Sequence, residues 1–174
     1  MHDLIDKQGF RANVGIVLVQ DGGRVFLGRR AGGKGWQFPQ GGVRVGESLE
    51  AAMFRELEEE IGLAPDHVEV LGVTRRWLGY RLPARFVRRD RSPLCIGQKQ
   101  RWYLLRSREP QPPIRFDMTG EPEFSEWRWA GFWEPVREVI GFKRPVYRRA
   151  LHELGRAALP GGLPAYPDWW QDSA

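Results

Sequence analysis

The stretch GGVRVGESLEAAMFRELEEEIGL, from Gly41 to Leu63, constrains this chain more than any other. It reads as a glycine-rich turn followed by a helix from about Ser48 to Glu60, with Ser48 as the cap and Gly62 as the stop. Ala51 stands three residues after Ser48 where an acid would complete a capping box, so the box is incomplete. At about 100° per residue, Leu49, Met53, Leu57 and Ile61 share one face, which should point into a core. Glu56, Glu59 and Glu60 run down one flank of that face at i, i+3 and i+4 spacing, with Glu60 inside the apolar stripe. Glu58 and Arg55 fall on the far side, so Arg55 is not expected to neutralise all three.

Carboxylates this close repel one another and resist desolvation. Either the acidic flank faces solvent, or something positive compensates it. Gly41 and Gly42 favour the second reading, because backbone amides of a glycine-rich turn near a helix start can meet phosphate oxygens. Magnesium and manganese ions prefer carboxylate oxygens and water. A cation cluster beside such a turn is equipment for phosphate chemistry. His2, His67 and His152 are scattered and suggest neither a zinc site nor a histidine base.

Around this segment, strands are predicted at 12–19, 24–30, 68–78 (bent at Gly72), 99–106 and 126–130, with a short extended piece at 36–38. The D-G-G between the first two suggests a hairpin. Helices are predicted at 133–139 and 144–156, the second with Pro145 in its first turn. Residues 79–97 read as a long loop. Mixed strands and helices predict an α/β or α+β sandwich. Residues 1–160 form one domain in this reading, and 161–174 a loosely ordered tail whose Trp169 and Trp170 have somewhere to dock.

With 41% apolar and 28% charged residues and no apolar run of membrane length, a soluble globular protein without a membrane partner is expected. A lone cysteine, Cys95, and an N-terminus without a secretory pattern predict a reducing, cytoplasmic setting. Charge is uneven. From Arg75 to Arg101 there are nine Lys or Arg residues and one acid, Asp90, so this segment carries +8 against +5 for the whole chain. Such an excess suits a polyanion or a solvated surface, and charge alone does not separate the two.

The segment resembles the signature of the Nudix hydrolases: Gly41, Glu47 after five residues, Arg55-Glu56-Leu57 after seven, then Glu59-Glu60 and Gly62-Leu63. Every fixed position is filled. The resemblance implies a Nudix-type α/β/α sandwich with a mixed central sheet. It also implies hydrolysis of a nucleoside diphosphate linked to another group, with Mg²⁺ or Mn²⁺ as cofactor. By position, Glu56, Glu59 and Glu60 match the metal-binding glutamates, Gly41 a metal ligand through its carbonyl, and Glu47 and Arg55 a supporting pair.

The segments GFRANVGIVL, WQFPQGGV, CIGQKQRWYLL, PEFSEWRW and FKRPVYRR extend the likeness to the RNA pyrophosphohydrolase subgroup, also described as dinucleoside polyphosphate hydrolases. On that likeness Glu123 joins the catalytic cluster and Arg11 and Arg30 contact phosphates or first nucleotides. Phe142 stacks on a base, with Arg30 closing the other side. Lys143 and the Gln98-Lys99-Gln100 run line the substrate groove. The implied reaction removes pyrophosphate from a 5′-triphosphate RNA end, with Glu56 favoured as base and the other carboxylates or a metal hydroxide left open. The basic stretch from Arg81 to Arg91 would suit the downstream RNA backbone. Diadenosine tetra- or pentaphosphate hydrolysis and a catalytically inactive RNA-binding module are the rivals. A protein activator is left open.

Overall fold

A computed structural model describes residues 3–173. His2 and the tail's Ala174 lie outside the described residues. In order, the chain forms β1 (Phe10–Val19), β2 (Val25–Arg30), β3 (Trp36–Gln37), β4 (Gln40–Gly42), α1 (Leu49–Ile61), β5 (Val68–Val73), β6 (Leu78–Arg81), β7 (Gly97–Ser107), β8 (Phe124–Ala130), α2 (Glu134–Glu138) and α3 (Arg144–Ala158).

The most apolar strand, β1, takes the centre. It runs parallel to β7 from Phe10↔Gly97 to Val19↔Arg106. On its other edge it pairs antiparallel with β4 and, at the hairpin, with β2. The β7 strand carries β6 and β5 on its far edge, and β2 carries β3 and β8. The sheet is therefore mixed. Both its faces are covered, which is why β1 reads as a continuous apolar run rather than an alternating one.

Strand alternation divides the core into two layers. Val14, Ile16 and Leu18 of β1 pack with Met53, Leu57 and Ile61 of α1. Val17 and Val19 pack with Trp102 of β7 and with Val146, Tyr147, Ala150 and Leu151 of α3. The result is the helix–sheet–helix sandwich implied by the resemblance. The apolar wheel face of α1 is the buried one. Ser48 caps the helix by accepting from Ala51 N–H at 3.1 Å, and Gly62 ends it in the left-handed region at φ 72°.

Four expectations need correction. Gly41 and Gly42 are not a turn: they sit extended in β4, opposite Val14 and Asn13, and the chain turns later, at Val45–Gly46. The 68–78 strand is broken into β5 and β6, with a register shift between Val70 and Gly72 where it bends. The 79–97 loop is shorter, because β6 and the start of β7 pair from Leu78↔Gln100 to Arg81↔Gly97. Its base is closed by Leu82 N–H donating to Ile96 C=O and Ile96 N–H to Gly9 C=O, each at 2.9 Å. The tail is not loose throughout. Tyr166 and Trp170 stack at 5.0 Å and both rings lie on Trp133, so aromatic burial ties the end of the chain to the α3 layer.

Candidate active site

The site lies where α1 meets β4. Strand β4 passes so close to α1 that a methyl group on Gly41 would overlap the Glu56 carboxylate. One on Gly42 would overlap the Arg11 guanidinium. The two glycines thus serve as bare backbone against which a carboxylate and a guanidinium lie.

Arg55 organises the junction. Its Nε and Nη2 donate to the two oxygens of Glu47 at 2.8 and 3.0 Å, and Nη2 also donates to Gly42 C=O at 2.7 Å. The hydrogen bonds from Arg55 hold the Glu47 carboxyl below its ordinary range. The third nitrogen reaches forward along the helix: Nη1 meets Glu56 Oε1 at 2.7 Å and Glu59 Oε2 at 3.4 Å. Arg55 thus meets two of the three glutamates and leaves Glu60, so it does not neutralise all three, although it reaches the flank from the far side of the wheel. A wheel locates Cβ atoms, whereas the long arginine stem carries its charge well off that direction.

Glu60 behaves differently. Its Oε2 accepts Gln40 N–H at 3.1 Å, and no arginine reaches it among the described residues. Burial pushes its carboxyl well above the usual carboxylate range, and the charges of Glu56 and Glu123 push it further. Glu56, itself buried, is also raised, chiefly by desolvation, against the pull of Arg55. Glu123 closes the group from just ahead of β8, accepting Gln37 Nε2–H at 3.1 Å. Glu59 stands at the rim, 3.6 Å from Arg44. Glu58 is exposed.

Lys143 is buried beside Gln37 Oε1 at 3.4 Å. Burial and the neighbouring Arg30 lower its pKa to about 8, while Glu123 and Glu60 pull it back up. Phe142 touches Tyr80 and Phe86, with ring centroids 5.6 and 5.7 Å apart. No cation–π contact joins Arg30 to Phe142 among the described residues. Lys99 is not brought to the site. Alternation along β7 turns it away from Gln98, to an ion pair with Asp6 at 2.9 Å and the face of Trp77.

Gln37, Gln40 and Asn13 were not singled out from the sequence. Gln100 Nε2 donates to Asn13 Oδ1 at 2.8 Å and to Gln40 Oε1 at 3.2 Å. The segment bearing Gln37 and Gln40 is anchored by Phe38, whose N–H donates to Tyr147 Oη at 3.0 Å and whose ring stacks on Tyr147. One signal was available: an asparagine within ANVGIVLV needs a partner once buried.

Among the described residues, no three His, Cys, Asp or Glu side chains converge as a ready-made ligand set. Each central carboxylate instead has one protein partner, with Glu56 held by Arg55, Glu60 by Gln40 and Glu123 by Gln37. The chemistry of the donor set still fits a hard divalent cation. Glu56 and Glu60 are desolvated, the charges of Glu56 and Glu123 act on Glu60, and each of the three keeps a second oxygen without a protein donor among the described residues.

The comparisons agree on the family. A family model described as the NUDIX domain matches residues 9–154. The chain is 55% identical over 164 residues to an RNA pyrophosphohydrolase of Alkalilimnicola ehrlichii, covering 94% of this chain and 91% of that protein. It is 55% identical to an RNA pyrophosphohydrolase of Shewanella loihica, covering 90% of each. Among solved structures it is similar to the E. coli dihydroneopterin triphosphate pyrophosphohydrolase, with a TM-score of 0.64 and 17% identity over 79% of this chain and 92% of that one. That last likeness speaks for the fold alone. On the signature, the matched domain and relatives more than half identical over nine-tenths of their length, this chain belongs to the Nudix family of hydrolases.

Proposed function

We propose that this chain is a divalent-cation-dependent hydrolase that removes pyrophosphate from the 5′-triphosphate end of RNA and leaves a 5′-monophosphate. The observation that carries this reading is the buried Glu60, raised by desolvation and then by the charges of Glu56 and Glu123, with Arg11 acting on Glu56 and Lys143 on Glu60. The likeness to RNA pyrophosphohydrolases over nine-tenths of the chain supports the choice of substrate.

Glu56, Glu60 and Glu123 would hold Mg²⁺ or Mn²⁺, with Glu59 next to them at the rim and the Gly41 backbone alongside. A bound cation would neutralise phosphate charge and lower the pKa of the attacking water. The remaining roles belong to the chain's own side chains. Arg11, lying on Gly42, offsets charge on the phosphates as the anhydride bond breaks. Lys143, Arg30 and the half-buried Phe142 receive the first nucleotides. Water adds to phosphorus, its proton passes to a carboxylate of the cluster, and pyrophosphate departs. A carboxylate oxygen of the cluster that the cation leaves free would take that proton. Glu47 and Arg55 hold the β4–α1 junction rather than touch substrate. Gln37 and Gln40 fix the orientation of Glu123 and Glu60.

A role in 5′-end processing and RNA decay in the cytoplasm follows from the proposed substrate. No helix among the described residues is long and apolar enough to cross a membrane. The test is a paired assay on one preparation, with triphosphorylated RNA and diadenosine tetraphosphate, with and without Mg²⁺ or Mn²⁺. Pyrophosphate release from RNA that requires the cation is expected. A large preference for the dinucleotide would overturn the substrate and keep the chemistry. Tight RNA binding with no cleavage of either would make the protein a binding module.

A further inference from the structure

Beside the acid group, on the far side of Arg11, lies a cavity of about 280 Å³, near the lower end of small-ligand sites at about 300 Å³. Its walls combine two chemistries. Leu82, Pro93 and the ring of Phe86 make it apolar, and Arg88 and Arg91 stand at it as exposed cations. Phe86 is 44% exposed, an unusual position for a large ring, and its far side meets Phe142. The carboxylate at the cavity, Asp3, is taken by Arg11 at 3.1 Å. No carboxylate lies within ion-pair distance of Arg88 or Arg91 among the described residues. Arg11 Nε and Gln98 Oε1, on lining residues, are buried without hydrogen-bond partners.

A free phosphate or pyrophosphate would use the arginines but would gain nothing from Phe86, Leu82 and Pro93. A nucleotide uses both, because its base or sugar lies on apolar surface and its phosphate meets guanidinium groups. Arg11 borders both this cavity and the acid group, and Phe86 and Phe142 form a continuous aromatic edge between them.

We propose that the cavity between Arg11 and Phe86 is a subsite for one nucleotide of single-stranded RNA, downstream of those held at the acid group. Its base or sugar lies against Phe86 and its phosphates on Arg88 and Arg91. This rests on the reading of the acid group as a pyrophosphohydrolase centre acting on RNA.

The test compares wild type with the double variant R88A/R91A, whose changes are at exposed positions. kcat/KM is measured on a triphosphorylated dinucleotide and on a longer triphosphorylated single strand. The variant should lose about tenfold on the longer strand, in the range of one stacked, phosphate-anchored nucleotide, and be unchanged on the dinucleotide. The dependence of log K on log salt for the longer strand should flatten by about 1.4, two phosphate contacts' worth. Equal loss on both substrates would overturn the proposal and assign the arginines to the triphosphate itself. No loss on either would overturn it too. Binding of a 5′-hydroxyl single strand, followed by fluorescence anisotropy, separates this from the catalytic reading. If wild type cleaves no RNA, the function proposed above fails, yet weaker anisotropy binding by the variant still supports the subsite and unchanged binding overturns it.

Discussion

The acid group and the basic stretch from Arg81 to Arg91 are both dense in charge, yet the fold treats them in opposite ways. Glu56, Glu60 and Glu123 are each fixed by a named donor, and Glu56 is pressed against Gly41 backbone that admits no side chain. Arg81, Arg85, Arg88, Arg89 and Arg91 are exposed, and two of them lie over ring faces, Arg81 on Phe10 at 5.9 Å and Arg85 on Phe86 at 4.7 Å. Desolvated charges change their pKa values and can do chemistry. Solvated charges keep ordinary behaviour and act through a screened field. The count of charges in the sequence does not distinguish these fates, but burial does.

The sharpest way to break this contrast is Glu60→Gln. Turnover should fall about 10³-fold, the several kcal/mol that a bound cation supplies. Stability should move the other way. A carboxyl raised by folding contributes stability that is complete below its unfolded pKa of 4.5 and is lost as pH rises through the raised value. Without divalent ions, the variant should therefore melt above wild type at neutral pH, with the difference closing as pH falls toward 4.5. Melting curves across pH check this, and a variant that melts lower at neutral pH would contradict it. Next comes Gly41→Ala. The new methyl displaces the Glu56 carboxylate, and a misplacement of about 1 Å costs about 10²-fold in turnover. Unaltered kinetics would remove the close approach from the account.

Glu47→Gln sharpens the contrast from within the acidic segment, because this glutamate is paired and its carboxyl is lowered. The loss should be about 1–3 kcal/mol of stability at neutral pH. The sign is opposite to that of Glu60. The Glu47 contribution is complete above 4.5 and disappears as pH falls through its depressed value, so wild type and variant should converge in acid. Chemical denaturation at several pH values reads it directly. On the basic side, Arg85→Ala should reduce the salt slope of RNA binding by about 0.7 and leave hydrolysis of a small dinucleotide unchanged. The smallest effect belongs to Glu58→Gln on the solvent side of α1, within about 0.5 kcal/mol in stability and without change in rate.

Much of the architecture was legible because it follows from periodicity. The apolar face of α1, its Ser48 and Gly62 ends, the central strand and the two-sided core all come from local patterns. The errors arise where partners are distant in sequence. The extended state of Gly41 and Gly42 depends on pairing with β1, and the β6 strand on pairing with β7, neither of which leaves a local mark. At the site, spacing groups Glu56, Glu59 and Glu60 but cannot rank them. Glu59 is at the rim with Arg44, whereas Glu60 is raised by burial, then by Glu56 and by Glu123, the last more than sixty residues away. The facing of Lys99 away from Gln98 was within reach, since alternation along a strand forbids adjacent side chains from sharing a face.

The central claim is that the facing carboxylates belong to a divalent cation. It is tested most directly by titrating the protein with Mn²⁺ and following free Mn²⁺ by electron paramagnetic resonance, in wild type, Glu58→Gln and Glu60→Gln. Saturable binding in wild type and Glu58→Gln, much weakened in Glu60→Gln, is the result expected. No saturable binding in wild type, or binding that Glu60→Gln leaves intact, would contradict it.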